Sequence, residues 1–127
     1  MERFEKIQYL NRILLDEMPE YRDQAARFPQ GDAAQRRRLR SLMNVRTPRP
    51  LKPQFLQVQD ELLFAEREAK GVVVANSLPV TPADSRIAVR QGDITTLRCD
   101  AIVNAANSDL TGCHVPCHNC IDNAIPA

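Results

Sequence analysis

Three of the four cysteines and both histidines of the chain fall inside Cys113–Cys120, in the order Cys113, His114, Cys117, His118, Cys120. Thiolates and imidazoles are soft ligands. In a chain that opens Met1-Glu2-Arg3-Phe4-Glu5 with no apolar export segment, such a window points to a metal site or to reactive thiols rather than to disulfides. The residues alone leave three chemistries open. They are a zinc ion with three protein ligands and an open fourth position, a closed structural zinc site, and a redox dithiol at Cys117 and Cys120, which are spaced C-x-x-C. Upstream lie Gly92-Asp93-Ile94-Thr95 and Asp100-Ala101-Ile102-Val103-Asn104-Ala105-Ala106-Asn107. Together these stretches place an acidic turn, an apolar run, an amide-bearing loop and the ligand cluster within about thirty residues, a density of polar chemistry expected of a site.

The elements that must carry these groups change character along the chain. Phe4, Ile7, Leu10, Leu14 and Met18 recur at three or four residues and predict a helix, which Pro19 stops because its ring excludes the next backbone bond. Asp32 is expected to cap a second helix bearing Leu39, Leu42 and Met43. Pro53 is expected to start a third with Phe55, Val58, Leu62 and Ala69 on one side, ended by Gly71. Between these two, Thr47-Pro48-Arg49-Pro50-Leu51-Lys52-Pro53 is too rich in proline to be helical.

After Pro79 and Pro82 the period shortens. Arg86-Ile87-Ala88-Val89-Arg90 alternates like a strand, and Asp100–Asn104 is a short apolar run of the kind buried on both faces of a parallel sheet. Two parallel strands are expected, near 86–91 and 100–104, with a second domain starting near residue 84. Cys99, just before the second strand, reads as a small buried hydrophobe.

Composition sets the class. With 127 residues, 43% hydrophobic and 26% charged, the chain suits an ordinary globular protein; no run approaches a membrane span, and the expected location is the cytoplasm. Residues 1–50 hold 11 Lys+Arg against 7 Asp+Glu, and residues 51–127 hold 6 against 9. Arg36-Arg37-Arg38-Leu39-Arg40 reads as a solvated helix face, since one short arginine run lacks the broad basic surface of a nucleic-acid binder.

Gly92-Asp93-Ile94-Thr95 followed by Asp100–Asn107 resembles the first half of the macrodomain, the α/β module that binds ADP-ribose. Gly112-Cys113 followed by Pro116, His118, Cys120, Ile121, Asp122 and Asn123 is similar, more narrowly, to the zinc-containing macrodomains of bacteria and fungi, protein-ADP-ribose hydrolases linked to a sirtuin-like ADP-ribosyltransferase. Leu39–Arg46 and Gln59–Leu63 resemble the helical extension of that group. The fold so implied is α/β: a helical N-terminal extension and linker over residues 1–83, then the first part of a macrodomain, a mixed sheet sandwiched by helices, over 84–127.

The resemblance also implies roles. Cys113, His118 and Cys120 become the zinc ligands, with His114 and Cys117 as bystanders. Asp93 accepts from the exocyclic amine of adenine, the Ile94 amide reaches a ring nitrogen, and Asn107 holds the distal ribose beside the scissile bond. Cys120, Ile121, Asp122 and Asn123 open a helix whose N-terminus suits the diphosphate. Asn104 shapes the turn. The implied reaction is removal of mono-ADP-ribose from a modified protein by cleavage of the ribose–protein glycosidic bond, with positive charge developing on the sugar. The implied partners are ADP-ribose, mono-ADP-ribosylated protein and a sirtuin-like ADP-ribosyltransferase.

The family pattern continues into further strands and a glycine-rich phosphate loop, whereas this sequence ends Ile125-Pro126-Ala127. The chain is therefore expected to be a truncated product, poorly stable and inactive by itself, its two strands exposing edges that later strands would cover. The competing reading is a zinc-stabilised module that binds ADP-ribose, RNA or a protein partner without catalysis. It accounts for the Cys/His cluster and the arginine run but not for Asp93 or the Asn104–Asn107 turn.

Overall fold

The computed structural model describes residues 1–126 as a mixed α/β chain whose residues group into two compact units, 1–63 with 104–126 and 64–103. The change of period near residue 84 falls inside the second unit.

The first unit holds helices α1 (Arg3–Glu17), α2 (Arg22–Ala26), α3 (Asp32–Val45), most of α4 (Pro53–Lys70) and the short α5 (Ile121–Ala124). The expected spacing places Ile7, Leu10, Leu14 and Met18 in one apolar cluster with Leu39, Leu42, Phe55, Val58 and Leu62. Two positions depart from it. Phe4 is 38% exposed in the first turn of α1, and Ala69 is exposed in the last turn of α4. Removing an apolar side chain of this cluster costs about 2–5 kcal/mol, because a close-packed site collapses only partly around the void.

The helix boundaries have local causes. α1 begins with a reciprocal capping box in which Glu5 returns its carboxylate to the Glu2 amide at 2.9 Å. Asp32 does not cap α3. Gly31 takes that position, and Asp32 is the first helical residue, where its carboxylate favours the positive end of the helix dipole and bonds Arg3. Gly71 follows α4 with φ +90°, a left-handed conformation that a β-carbon would penalise. The C-termini of α1 and α3 are tied together by a forked ion pair: Arg46 Nε and Nη2 donate to the two Glu17 carboxylate oxygens at 2.6 and 3.0 Å.

The second unit carries a two-stranded parallel sheet. β1 (Val73–Val74) pairs with β2 (Leu97–Arg98) in the register Val73 to Leu97 and Val74 to Arg98. The strands expected at 86–91 and 100–104 are therefore displaced. Ala88 makes a single antiparallel bridge with Val80, and 100–104 forms no strand, with Ile102 43% and Val103 87% exposed. A strand exists only where a partner edge takes up its N–H and C=O groups, and apolar patterning does not supply that edge. Cys99 is exposed rather than buried for the same reason.

Asp93 lies in this unit at the start of a one-turn 3₁₀ helix, Ile94–Thr96. Its Oδ1 accepts the Thr95 amide at 2.9 Å and the Thr95 hydroxyl at 2.7 Å, and Lys70 Nζ stands 3.7 Å from Oδ2. The Thr95 hydrogen bonds, and secondarily Lys70, hold the Asp93 carboxyl below the usual aspartate range. The side chain is thus a turn cap, and it is charged throughout the neutral range. Ile94 occupies the first helical position, where geometry gives an amide no intrahelical acceptor.

Candidate metal centre

Residues 104–124 fold around one buried carboxylate. Asp122, 8% exposed, accepts the Asn104 side-chain amide at 3.2 Å on one oxygen and the Asn107 backbone amide at 3.1 Å on the other. Its backbone carbonyl accepts the Cys113 amide at 3.2 Å. Asn104 therefore does shape the turn, with its side chain spent on Asp122, while its buried Oδ1 has no partner among the described residues. Asn107 Nδ2 donates to the Gly112 carbonyl at 2.8 Å and closes the loop immediately before Cys113. Gly112 is buried with φ +89°, and a β-carbon there would also stand 3.3 Å from the Pro126 ring, so no other residue fits without strain.

Within this frame the ligand atoms of Cys113, His118 and Cys120 lie within 4.8 Å of one another. A tetrahedral zinc ion with Zn–S near 2.3 Å and Zn–N near 2.1 Å sets its ligands about 3.6–3.8 Å apart. A contraction of about an ångström brings the three groups to that spacing, and two thiolates with one imidazole are the donor set zinc prefers. The cluster can hold a metal ion.

The other two members of the window face helix α3. His114 Nδ1 is 2.8 Å from the Asn44 carbonyl, and its Nε2 is 3.1 Å from the Thr111 hydroxyl. A carbonyl only accepts, so Nδ1 carries a proton and donates to Asn44, while Nε2 stands within hydrogen-bond distance of the Thr111 hydroxyl. Cys117 Sγ lies 3.4 Å from Ser41 Oγ and 3.6 Å from the Arg37 carbonyl, and the Cys117 amide donates to Asn44 Oδ1 at 2.9 Å. With φ +53°, Cys117 is the point at which the loop reverses between its two ligand-bearing arms.

The helix expected at Ile121-Asp122-Asn123 is present as α5, with Cys120 at its N-cap. The side chains of Asp122 and Asn123 point into protein. Asn123 is 1% exposed, its Oδ1 accepts Arg40 Nε and Nη2 at 3.0 and 2.7 Å, and its Nδ2 donates to the Val115 carbonyl at 2.9 Å. Arg40 is consequently an anchor rather than part of a solvated face. Arg38 is partly buried too, and burial lowers its pKa. The roles of Asn44, Arg40 and the Asp122 side chain were not legible in the sequence. Arg37, Arg40, Ser41 and Asn44 share the face of α3 opposite Leu39 and Leu42, and nothing in the local pattern says what that polar face meets.

No protein-family model matches the chain. Among curated proteins it is 45% identical over 119 residues to the protein-ADP-ribose hydrolase of Treponema medium, which covers 92% of the chain and 45% of that protein. It is 46% identical over 86 residues to the protein of the same name in Staphylococcus aureus strain COL, covering 68% of the chain and 32% of the relative. It is 43% identical over 98 residues to a protein of Fusarium oxysporum f. sp. cubense named "Probable bifunctional ADP-ribose hydrolase/ADP-ribosyltransferase", covering 70% of the chain and 16% of that protein. The chain spans less than half the length of these relatives.

Proposed function

We propose that the chain carries the metal-binding part of a zinc-dependent protein-ADP-ribose hydrolase, which removes mono-ADP-ribose from modified proteins by cleaving the ribose–protein glycosidic bond. The observation that carries this reading is the 45% identity over 92% of the chain to a protein named protein-ADP-ribose hydrolase. The convergence of Cys113, His118 and Cys120 on the loop that Asn107 closes supports it.

In this reading residues 1–83 are the helical extension and residues 84–127 the first part of a macrodomain. Cys113, His118 and Cys120 hold zinc, which when bound supplies positive charge for the ribose hydroxyls or the attacked water. The charged Asp93 accepts from the adenine amine through the oxygen not engaged by Thr95, and the Ile94 amide donates to a ring nitrogen. Asn107 orients the distal ribose, its side chain exchanging the Gly112 carbonyl for sugar hydroxyls. For the diphosphate, the contribution of Cys120, Ile121, Asp122 and Asn123 is backbone, because the Asp122 and Asn123 side chains are committed inside the protein. We also assign to this protein the sirtuin-like ADP-ribosyltransferase partner that its sequence resemblance implies and, from its composition, a cytoplasmic location.

Calorimetry tests the binding half on a chimera in which residues 1–127 replace the matching part of the Treponema medium relative. ADP-ribose should bind at micromolar concentration, and Asp93→Ala should weaken it at least tenfold while zinc content stays at one ion per chain. Undiminished binding by Asp93→Ala would refute the adenine assignment.

A further inference from the structure

The three metal ligands are not enough to explain the shape of their loop, and part of what fixes it comes from helix α3, some seventy residues earlier. We propose that Asn44 is a positioning residue for the metal centre, holding the Cys113–Cys120 loop in its ligand-convergent conformation, so that the helical extension is part of the metal site rather than an appendage to it. The inference rests on the metal reading given above.

Asn44 lies one residue before the end of α3 and is 6% exposed. It meets the loop twice. Its side-chain oxygen accepts the Cys117 amide at 2.9 Å, and its backbone carbonyl accepts the His114 imidazole at 2.8 Å. That carbonyl is among the last four of the helix, which have no intrahelical donor, so the His114 bond satisfies a group that must otherwise find water. The side-chain bond falls on Cys117, whose φ of +53° lies in the left-handed region that residues with a β-carbon rarely occupy. This reversal lets Cys113, on one arm, meet His118 and Cys120 on the other. Arg40, one turn earlier on α3, adds a third tie by holding Asn123, which in turn holds the Val115 carbonyl.

The division of labour follows from these bonds. Residues 113, 118 and 120 supply ligands, and residues 114 and 117 are turned to the helix by Asn44. An amide is suited to this because its oxygen accepts without carrying charge, and nearly buried it must be satisfied.

The test measures zinc affinity by competition with a chromophoric chelator, together with the thiolate charge-transfer and d–d bands of the cobalt(II)-substituted protein. Asn44→Ala should bind zinc 10- to 100-fold more weakly, the range seen when groups that orient ligands are removed, and its cobalt spectrum should lose tetrahedral intensity. Asn44→Asp, which restores an acceptor oxygen in place, should recover affinity to within about threefold of the native chain. Unchanged helical circular dichroism separates the effect from unfolding of the helices. If Asn44→Ala does not fold, His114→Ala cuts one of the same two ties at an exposed residue and should weaken zinc binding several-fold at unchanged stoichiometry. Native affinity and native cobalt spectra in both Asn44→Ala and His114→Ala would overturn the proposal while leaving the metal reading intact; a native chain that binds no zinc would overturn both.

Discussion

The buried carboxylate of Asp122 accepts the backbone amide of Asn107 at 3.1 Å, fastening the loop proposed to hold the ribose to the helix that follows Cys120. The same side chain takes the Asn104 amide at 3.2 Å, and the same residue's carbonyl takes the Cys113 amide. Asp122→Ala leaves the backbone carbonyl to Cys113 but would strand the Asn104 and Asn107 donors in a partly dry site, where an unmet donor costs about 1–3 kcal/mol. The expected outcome is a loss of zinc affinity of about tenfold or more, read by chelator competition, with Asp122→Asn intermediate because it keeps one acceptor oxygen. Native affinity in Asp122→Ala would show that the loop orders without this hub.

The ligand assignment separates cleanly by stoichiometry. At saturating zinc, Cys113→Ala, His118→Ala and Cys120→Ala should each retain well under one ion per chain after gel filtration, whereas His114→Ala should retain one, since its Nδ1 donates to Asn44 and its Nε2 stands beside the Thr111 hydroxyl. Elemental analysis reads this directly. Equal loss from His114→Ala would place that residue among the ligands.

Much of this arrangement was readable from residue types alone, and the remainder was not, for a physical reason. Ile7, Leu10, Leu14, Leu39, Leu42, Phe55, Val58 and Leu62 announced the helical core because helical burial imposes its period on sequence. The strands were misplaced because Val73 and Leu97 are chosen by pairing across more than twenty residues, which no local period records. At the site, the convergence of Cys113, His118 and Cys120 was implied by family pattern and is found in the geometry. The contributions of Asn44, Arg40 and the Asp122 side chain depend on contacts between segments far apart in sequence. Arg36–Arg40 reads as a solvated run until Arg40 is seen to bond Asn123.

Acid should loosen the helical unit at Glu17. The Arg46 hydrogen bonds, opposed by burial and helped by the charges of Arg46 and Arg49, hold its carboxyl below the ordinary glutamate range. A depressed folded-state pKa means that the unfolded chain takes up the proton first. The stabilisation is therefore fully present above the unfolded glutamate value of about 4.3 and is lost as pH falls through the lower, folded one. Glu17→Gln should cost about 1.5–3 kcal/mol at pH 7, the range for hydrogen bonds to a charged group, and should flatten the dependence of stability on pH below 4.3. Urea unfolding followed by circular dichroism at pH 7 and at pH 3.5 reads both. An unchanged pH slope in Glu17→Gln would remove Glu17 from the account.

The central claim is that Cys113, His118, Cys120 and Asn107 serve hydrolysis of the bond between ADP-ribose and a protein. Its most direct test is release of free ADP-ribose from a mono-ADP-ribosylated protein by the zinc-loaded chimera of residues 1–127 with the remainder of the Treponema medium relative, followed by mass spectrometry. Release should proceed with the native segment, be abolished by Cys113→Ala and fall about 100-fold or more with Asn107→Ala, since losing orientation at the reacting sugar costs rate of that order. A chimera that binds zinc and ADP-ribose yet releases none would point instead to a binding module, and release unaffected by either substitution would contradict the assignment of the site.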